Sequence, residues 1–364
     1  MTVLTEVTQV TAAATRALSA PARRLGLALG AGLALGCSPA SPPTQTTPPA
    51  WQAVYDDKGL GGAFLSAWGT GESDVYLVGG PLGNGGAALV EHYDGEQWER
   101  LSPDGEDTFW WVTGSGPNDV WMSGENGRIT HWDGAKFREE KRLTTATIWG
   151  VWAKSPKEAW AVGGTPGKGK DAPNDVVLRW DGAAWTAEAL PGDPLGRSLN
   201  KVWGTSSEDL YAVGELGTVW HRKGSEWKLE SDPPVAGSNL LTVYGCSAND
   251  VYAVGGQDVI HSDGGGTWTH VDVDLSNAVN GVTCGAPGEV LLVGFGGLKV
   301  RRVGEKWINE FDVAPFGDIH GAWSDGKGAF WVAGGDFLSK PAEGKPRKAL
   351  IARYGSGTVS TALR

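Results

Sequence analysis

Four histidines stand near acidic residues in a pattern that could support general acid–base chemistry. His92, His131 and His261 are each followed two residues later by Asp, and His221 occupies the matching position in another copy of the same pattern. A single pair of this kind in a cleft would be a candidate base with its orienting carboxylate. Because the pair recurs in separate copies, we interpret it as structural hydrogen bonding. The histidines are also too far apart to share one metal. The sequence therefore predicts no catalytic residue, no metal site and no cofactor.

A glycine-rich segment matches part of a phosphate-binding loop. Residues 164–170 (GTPGKGK) fit the pattern G-x-x-x-x-G-K. The next residue is Asp171, where a nucleotide site needs Ser or Thr for magnesium, and no helix is expected to follow. We therefore predict no nucleotide site in this segment.

The histidines belong to a unit that occurs seven times. Each copy has a hydrophobic strand, a tight turn that ends in an acid, and a strand of the type V-Y-A-V-G. The turn residues are Asp74, Asp119, Glu158, Asp209, Asp250, Glu289 and Ala329. They are separated by 45, 39, 51, 41, 39 and 40 residues. Repeats of this length, together with 56 Gly and 19 Trp, predict an all-β fold: a seven-bladed β-propeller of four-stranded antiparallel blades over residues 51–364.

We name the strands of each blade A to D along the repeat. The A–B and C–D turns then share one face, here the turn face, and the longer B–C and D–A loops share the other, here the loop face. Residues 51–55 and 358–363 both resemble a strand D. One of them must close the ring, and the sequence leaves open which one.

One copy carries the clearest family resemblance. Residues 261–268 (HSDGGGTW) are close to the Asp-box pattern S-x-D-x-G-x-T-W, and H-W-D-G occurs at residues 131–134. The chain resembles bacterial lipoproteins built as β-propellers of Asp-box, sialidase-like (BNR-type) repeats, with kelch and WD-repeat propellers as second choices. The Arg-Ile-Pro motif of sialidases is absent, since Arg128 and Ile129 are followed by Thr130.

A ring of residues is expected at the mouth of the central channel on the loop face. These residues lie nine positions before each turn residue, and the ring is Leu65, Trp110, Trp149, Asn200, Leu241, Asn280 and His320. Trp110, Trp149, Asn200, Asn280 and His320 could stack on and hydrogen-bond a sugar or a peptide. The alternative is that the two tryptophans plug the channel.

Two cysteines lie on strand A of neighbouring blades. Cys246 is four residues before its turn acid and Cys284 is five before its own, so alternation places them on opposite faces of adjacent sheets. A disulfide is therefore possible in an oxidising compartment, and two buried free thiols are the alternative.

The N-terminus has the pattern of an export signal. Arg23 and Arg24 precede twelve mostly apolar residues and Cys37, and the junction resembles the bacterial lipobox. We predict a lipoprotein signal peptide at residues 1–36, lipidation of Cys37, and a disordered tether rich in Pro, Ser and Thr at residues 37–50. The residue after Cys37 is Ser38, which favours the outer membrane of a bacterial envelope, on its periplasmic or surface face.

Charge and loop length together suggest a binding function. The net charge is −11, which disfavours nucleic acid as a partner. The loop face carries insertions at residues 81–87, 165–175 and 336–348. We expect a surface-anchored, non-enzymatic binding or scaffold propeller with a protein or glycan partner. The alternatives are a sialidase- or glycosidase-like hydrolase and an assembly factor for an envelope complex.

Overall fold

A computed structural model describes residues 47–83, 86–231, 235–338 and 345–363. The predicted signal peptide, Cys37 and most of the predicted tether lie outside these residues. The described residues form seven four-stranded antiparallel sheets, which confirms the predicted seven-bladed β-propeller. No helix in these ranges is both long and apolar enough to cross a membrane.

The first four blades run in simple order from strand A to strand D. Blade one is β2 (Ala63–Gly71), β3 (Asp74–Gly80), β4 (Leu89–Tyr93) and β5 (Trp98–Arg100). Blade two is β6 (Phe109–Gly116), β7 (Asp119–Gly124), β8 (Ile129–Trp132) and β9 (Phe137–Glu139). Blade three is β10 (Thr147–Ser155), β11 (Glu158–Gly164), β12 (Val176–Trp180) and β13 (Trp185–Ala187). Blade four is β14 (Leu199–Ser206), β15 (Asp209–Gly214), β16 (Val219–Lys223) and β17 (Glu226–Leu229).

The last three blades follow the same plan, except that the outer strand of blade seven is β1, from the other end of the propeller sequence. Blade five is β18 (Thr242–Ser247), β19 (Asp250–Gly255), β20 (Asp258–Ser262) and β21 (Trp268–His270). Blade six is β22 (Val279–Cys284), β23 (Glu289–Gly294), β24 (Lys299–Val303) and β25 (Lys306–Asn309). Blade seven is β26 (Ile319–Ser324), β27 (Phe330–Gly335), β28 (Ala349–Gly355) and β1 (Ala50–Asp57).

The N-terminus supplies the strand that closes the ring. β1 pairs with β28 from Ala50 opposite Gly355 to Asp57 opposite Ala349. Residues 358–363 form no strand, although Val359 and Leu363 pack against the core and Trp98 Nε1 donates to the carbonyl of Ser360 at 2.9 Å. Of the two segments that resemble a strand D, residues 51–55 therefore close the ring and residues 358–363 do not.

Aromatic side chains on strand A fill the space between blades. Trp68 lies against Gly114 of the next blade, and Trp203 lies against Gly245. A Cβ atom at Gly245 would stand 2.1 Å from the indole of Trp203, so this position has room only for glycine. The repeated tryptophans on strand A thus pack one blade against the next.

A disulfide joins Cys246 of blade five to Cys284 of blade six, with 5.2 Å between their Cα atoms. The side chain of Cys246 is exposed and that of Cys284 is half-buried, so the alternative of two buried free thiols does not describe the structure. The pairing register of β18 shifts between Gly245 and Ser247, which leaves Cys246 as the extra residue of a bulge. The two blades are therefore linked covalently near the turn face.

Candidate functional site

The repeated histidines form hydrogen bonds within each blade. In each pair the Nε2 atom of a strand C histidine contacts Oδ1 of the turn acid on strand B. The distances are 2.7 Å for His92–Asp74, 2.8 Å for His131–Asp119, 2.9 Å for His221–Asp209 and 2.7 Å for His261–Asp250. The aspartate two residues after the histidine is not this partner: Asp94, for example, accepts from the backbone N–H groups of Glu96 and Gln97.

In three of these blades a hydroxyl group also contacts the turn aspartate, but the three groups are not arranged as in nucleophilic catalysis. Thr70, Ser115 and Thr205 each donate to Oδ2 of the turn aspartate in their own blade. In a catalytic triad the imidazole stands between the hydroxyl and the carboxylate. Here the carboxylate stands between the other two groups, an arrangement that fastens strands A, B and C together.

The expected mouth residues occupy equivalent places on the inner strands. In six blades the pairing of strands A and B shifts around one unpaired residue, as at a β-bulge. These unpaired residues are Leu65, Trp110, Trp149, Asn200, Asn280 and His320. In blade five, β18 begins at Thr242, directly after Leu241. The repeat register therefore places the same position at the loop-face end of every inner strand.

The aromatic mouth residues contact one another. The rings of Trp110 and Trp149 meet edge to face with 4.7 Å between centroids, and Trp110 lies 5.5 Å from the ring of His320. Trp149 Nε1 donates to the carbonyl of Gly164 at 3.0 Å, whereas Nε1 of Trp110 has no hydrogen-bond partner among the described residues. The two tryptophans and the histidine are thus brought together across the channel.

The polar mouth residues bind the backbone of the next blade. Asn200 Nδ2 donates to the carbonyl of Leu240 and Asn280 Nδ2 to that of His320, both at 2.8 Å. His320 Nδ1 donates in turn to the carbonyl of Leu65 at 2.6 Å. These groups tie blade four to five, six to seven, and seven to one. Binding of a ligand at the five predicted mouth residues stays a prediction. Such a ligand would have to hydrogen-bond the polar groups in addition to the inter-blade hydrogen bonds that they already form.

Several residues at the channel were not expected from the repeat. Phe337 packs on His320 with 5.1 Å between ring centroids, and Phe295 packs on Phe337 at 5.8 Å. Both lie in B–C loops, outside the regular strand pattern. Lys201 follows the mouth residue Asn200, at a place where the other blades have Ser, Trp, Gly or Thr. Its departure from the repeat is the signal that could have identified it.

The amino group of Lys201 is buried in the channel. Its side chain is 4% exposed, Nζ donates to the carbonyl of Trp149 at 2.8 Å, and Nζ lies 4.1 Å from the centre of the Trp111 ring. Burial lowers the pKa of Lys201 to about 7. Burial and the nearby Lys201 charge lower the pKa of His320 to about 3, so its imidazole is neutral at physiological pH.

Most of the large apolar side chains that are exposed lie on the loop face, in loops of several blades. Among the described residues, five of the seven large hydrophobic side chains that are exposed lie in B–C or D–A loops. They are Leu143, Leu216, Val313, Phe316 and Leu338. Phe316 is 52% exposed and Leu338 is 65% exposed. We call these five residues the apolar loop set.

The same face holds unusual backbone conformations. Within the described ranges, the non-glycine residues with positive φ are Leu82, Asn126, Asp175 and Leu216, one in each B–C segment of blades one to four. Leu216 has φ 55° and is 59% exposed. A leucine rarely adopts this conformation, and Leu216 is the middle residue of a turn that recurs with Asn126 in blade two and Gly296 in blade six.

Buried polar side chains hold the loops in place. Lys299 is fully buried, and its Nζ donates to the carbonyls of Gly297 at 2.6 Å and Pro315 at 3.0 Å, beside Phe316. Arg347 is 2% exposed and donates from Nε to the carbonyl of Pro81 at 3.1 Å, which joins the B–C loops of blades seven and one. The apolar loop set is therefore presented by an ordered frame.

A groove of about 630 Å³ lies along the outer strands of blades three and four. Its walls include Leu190, Pro191 and Trp227, with the guanidinium groups of Arg179 and Arg222. Arg222 is engaged, since its Nε lies 3.2 Å from Glu188 Oε1. The groove also takes in Ser225 and Glu226 at the C–D turn of blade four, so it lies on the outer side of the ring and reaches the turn face.

Comparison of the sequence with protein-family models and with curated proteins finds no match. Several solved structures have the same fold. The structure of YCF48 bound to D1 peptide is 16% identical, with a TM-score of 0.60, and the match covers 84% of this chain and 96% of that one. YCF48 from Cyanidioschyzon merolae is 14% identical, with a TM-score of 0.58 and 84% and 98% of the two chains covered. The WD40 β-propeller domain of Doa1 is 11% identical, with a TM-score of 0.62 and coverage of 84% and 97%. At these identities the likeness is one of fold.

Proposed function

We propose that this chain is a non-enzymatic protein-binding propeller of the bacterial cell envelope, which docks its partner on the loop face. The observation that carries the proposal is the apolar loop set. An uneven distribution of exposed large apolar side chains between two faces favours the richer face as the docking surface. The opposite face is built from short turns, rich in Asp and Gly.

Preorganisation of the loops supports docking. Binding costs less conformational entropy when the contact residues are already ordered. Lys299 holds the loop that carries Phe316 through two carbonyl groups. Leu216 is kept in a left-handed conformation at the tip of its turn. YCF48, which has the same fold, is described as bound to the D1 peptide, so a propeller of this kind offers a surface for a peptide segment.

An envelope location fits two separate features. The basic pair and apolar run before Cys37 are typical of an exported lipoprotein, and two acyl chains would give stable anchoring. The Cys246–Cys284 disulfide is of a kind that persists in oxidising compartments and is rare in the cytosol. Lipidation of Cys37 and an outer-membrane position are parts of this proposal.

Site-specific photo-crosslinking in the native cells tests the docking face. A benzophenone amino acid would be placed at Leu216, Phe316 or Leu338, with Lys136 and Lys306 on the turn face as matched control positions. We expect adducts of one discrete mass from the loop-face positions and none from the controls. Phe316→Asp combined with Leu338→Asp should remove the adduct formed from Leu216 while leaving the melting temperature unchanged, because both side chains are exposed.

Two results would overturn this function. Adducts of equal yield from both faces would show that the apolar loop set does not direct docking. The absence of any protein adduct from the loop face would favour a glycan partner. A panel of fluorogenic glycosides tests the hydrolase alternative. Hydrolysis that is lost when an acidic residue is replaced would show that the chain is an enzyme.

A further inference from the structure

A small cavity lies in the central channel, on the turn-face side of the mouth. It encloses about 40 Å³, and its aromatic lining is Trp68, Trp111, Trp152, Trp203, Tyr244 and Trp323. These residues lie one to three positions further along strand A than the mouth residues, towards the A–B turns. None of the residues that line the cavity is charged.

The channel already contains one lysine amino group, at the level above this cavity. Lys201 Nζ stands 4.1 Å over the ring of Trp111 and donates to the backbone carbonyl of Trp149. An aromatic face and an inner-strand carbonyl thus hold a lysine head group here, although burial lowers the pKa of Lys201 to about 7. The cavity on the turn-face side of this site is lined by several aromatic rings of the same kind.

The inner strands supply further acceptors. Strand A is the edge of every sheet and pairs on one side only, so backbone carbonyls and N–H groups along its free edge face the channel, and the carbonyls are available as acceptors. A cation that enters from the turn face would meet these carbonyls and the aromatic rings together.

The charge of the turn face favours a cation as well. The seven A–B turns (residues 70–74, 115–119, 154–158, 205–209, 246–250, 285–289 and 325–329) carry nine acidic residues against three lysines. Four of the acids bind the strand C histidines, and the others are Glu72, Glu158, Glu208, Glu289 and Asp325. Lys154, at the rim, is itself bound to the carbonyl of Thr205 at 2.8 Å. Such a ring of negative charge attracts cations towards the opening.

We propose that this cavity binds an aliphatic ammonium, either the head of a lysine side chain or a free alkylamine. The space is roughly that of three water molecules, which suits a compact primary ammonium and excludes a sugar ring. The rings and strand carbonyls replace its hydration, and the acidic turns offset the cost of burying its charge. The site lies on the opposite face from the apolar loop set and is independent of the docking function.

The test uses the full-length chain with ¹⁵N-labelled tryptophan and follows the indole N–H resonances by NMR. We expect n-butylammonium to shift the Trp152 and Trp203 signals in a saturable manner, with n-butanol at least about tenfold weaker. Trp152→Leu should weaken binding about tenfold, and Trp132→Leu, outside the cavity, should leave it unchanged. A lysine peptide and its acetyl-lysine counterpart then distinguish the two sources of the ammonium.

Equal affinity for butanol and butylammonium would overturn the proposal, because it would make the cavity merely apolar. Shifts that do not saturate, or equal losses in the two tryptophan variants, would do the same. If Trp152→Leu does not fold, the native chain still decides: raising the salt concentration should weaken butylammonium binding several-fold and leave butanol unaffected. Variants of Phe316 and Leu338 should not change either ligand.

Discussion

Lys201 of blade four meets Trp111 of blade two inside the channel, with Nζ 4.1 Å from the ring centre. No carboxylate in the described part of the chain forms an ion pair with this ammonium. Its stabilisation comes from the indole and from one carbonyl group, that of Trp149. A buried ammonium with these partners alone makes the stability of the ring depend on pH.

Replacement of Lys201 by Met should remove one pH-dependent contribution to stability. The pKa of Lys201 is about 7 in the folded chain and 10.5 when unperturbed, so the unfolded state binds more protons between these values. Stability must therefore rise with pH across this window in the wild type. Urea unfolding between about pH 7 and about pH 9.5 should show this rise, and Lys201→Met should show less of it. Equal slopes in wild type and variant would contradict the assignment, and Lys327→Met, an exposed site, is the control.

Removal of the disulfide should lower the free energy of unfolding by about 2–4 kcal/mol, because the unfolded chain would regain the freedom of the closed loop. Cys246 and Cys284 are 38 residues apart, which makes this loop moderately long. Denaturant unfolding of Cys246→Ser/Cys284→Ser checks the value. A reductant should destabilise the wild type and have no effect on the double variant, and an effect of the same size on both would refute the link.

Loss of His221 should cost far more than loss of His261. His221 is 1% exposed and contacts two carboxylates, Asp209 and the buried Glu230, whose Oε1 lies 2.7 Å from Nδ1. His221→Leu would take the imidazole partner from Glu230 and leave it the hydrogen bond from Trp268 Nε1 at 3.0 Å, so the chain should be destabilised by about 3 kcal/mol. The pair of His261 with Asp250 is about one-third exposed, so His261→Leu should cost about 1 kcal/mol or less. Equal costs in chemical unfolding would show that burial does not govern the pair.

The contact between His221 and Glu230 should also affect stability at low pH. Burial raises the pKa of Glu230, but the hydrogen bonds from His221 and Trp268 and the charge of His221 outweigh it and leave the pKa lowered. A lowered carboxyl pKa adds stability above its unfolded value, and this is lost as the pH falls through the folded value. His221→Leu should therefore flatten the acid limb of stability below about pH 4.5. An acid limb identical to that of the wild type would argue against this role.

The two mouth tryptophans should behave as structural residues. Trp110→Ala with Trp149→Ala removes their edge-to-face contact and the bond from Trp149 to Gly164. We expect the free energy of unfolding to fall by about 3 kcal/mol or more. An unchanged melting temperature together with lost binding of a glycan or peptide would instead identify the mouth as the ligand site predicted from the sequence.

The repeat allowed the blades and the mouth register to be predicted, because the bulge at residues such as Trp110 and His320 recurs at one position. The partner of each histidine was missed, since a neighbour across strands, such as Asp209 for His221, is not adjacent in sequence. Phe295 and Phe337 could not be predicted, because they lie in loops that the repeat does not constrain. The bulge at Cys246 also escaped a prediction that assumed regular alternation.

The pairing of β1 with β28 imposes an order on biosynthesis. Residues 50–57 find their partners at residues 349–355, which are 292 to 305 positions later in the chain. Blade seven can be completed only after synthesis of the whole propeller has finished. Under the export that we propose, a chain that crosses the membrane during its synthesis would do so before its ring has closed, so that ring closure would be left to the compartment of arrival.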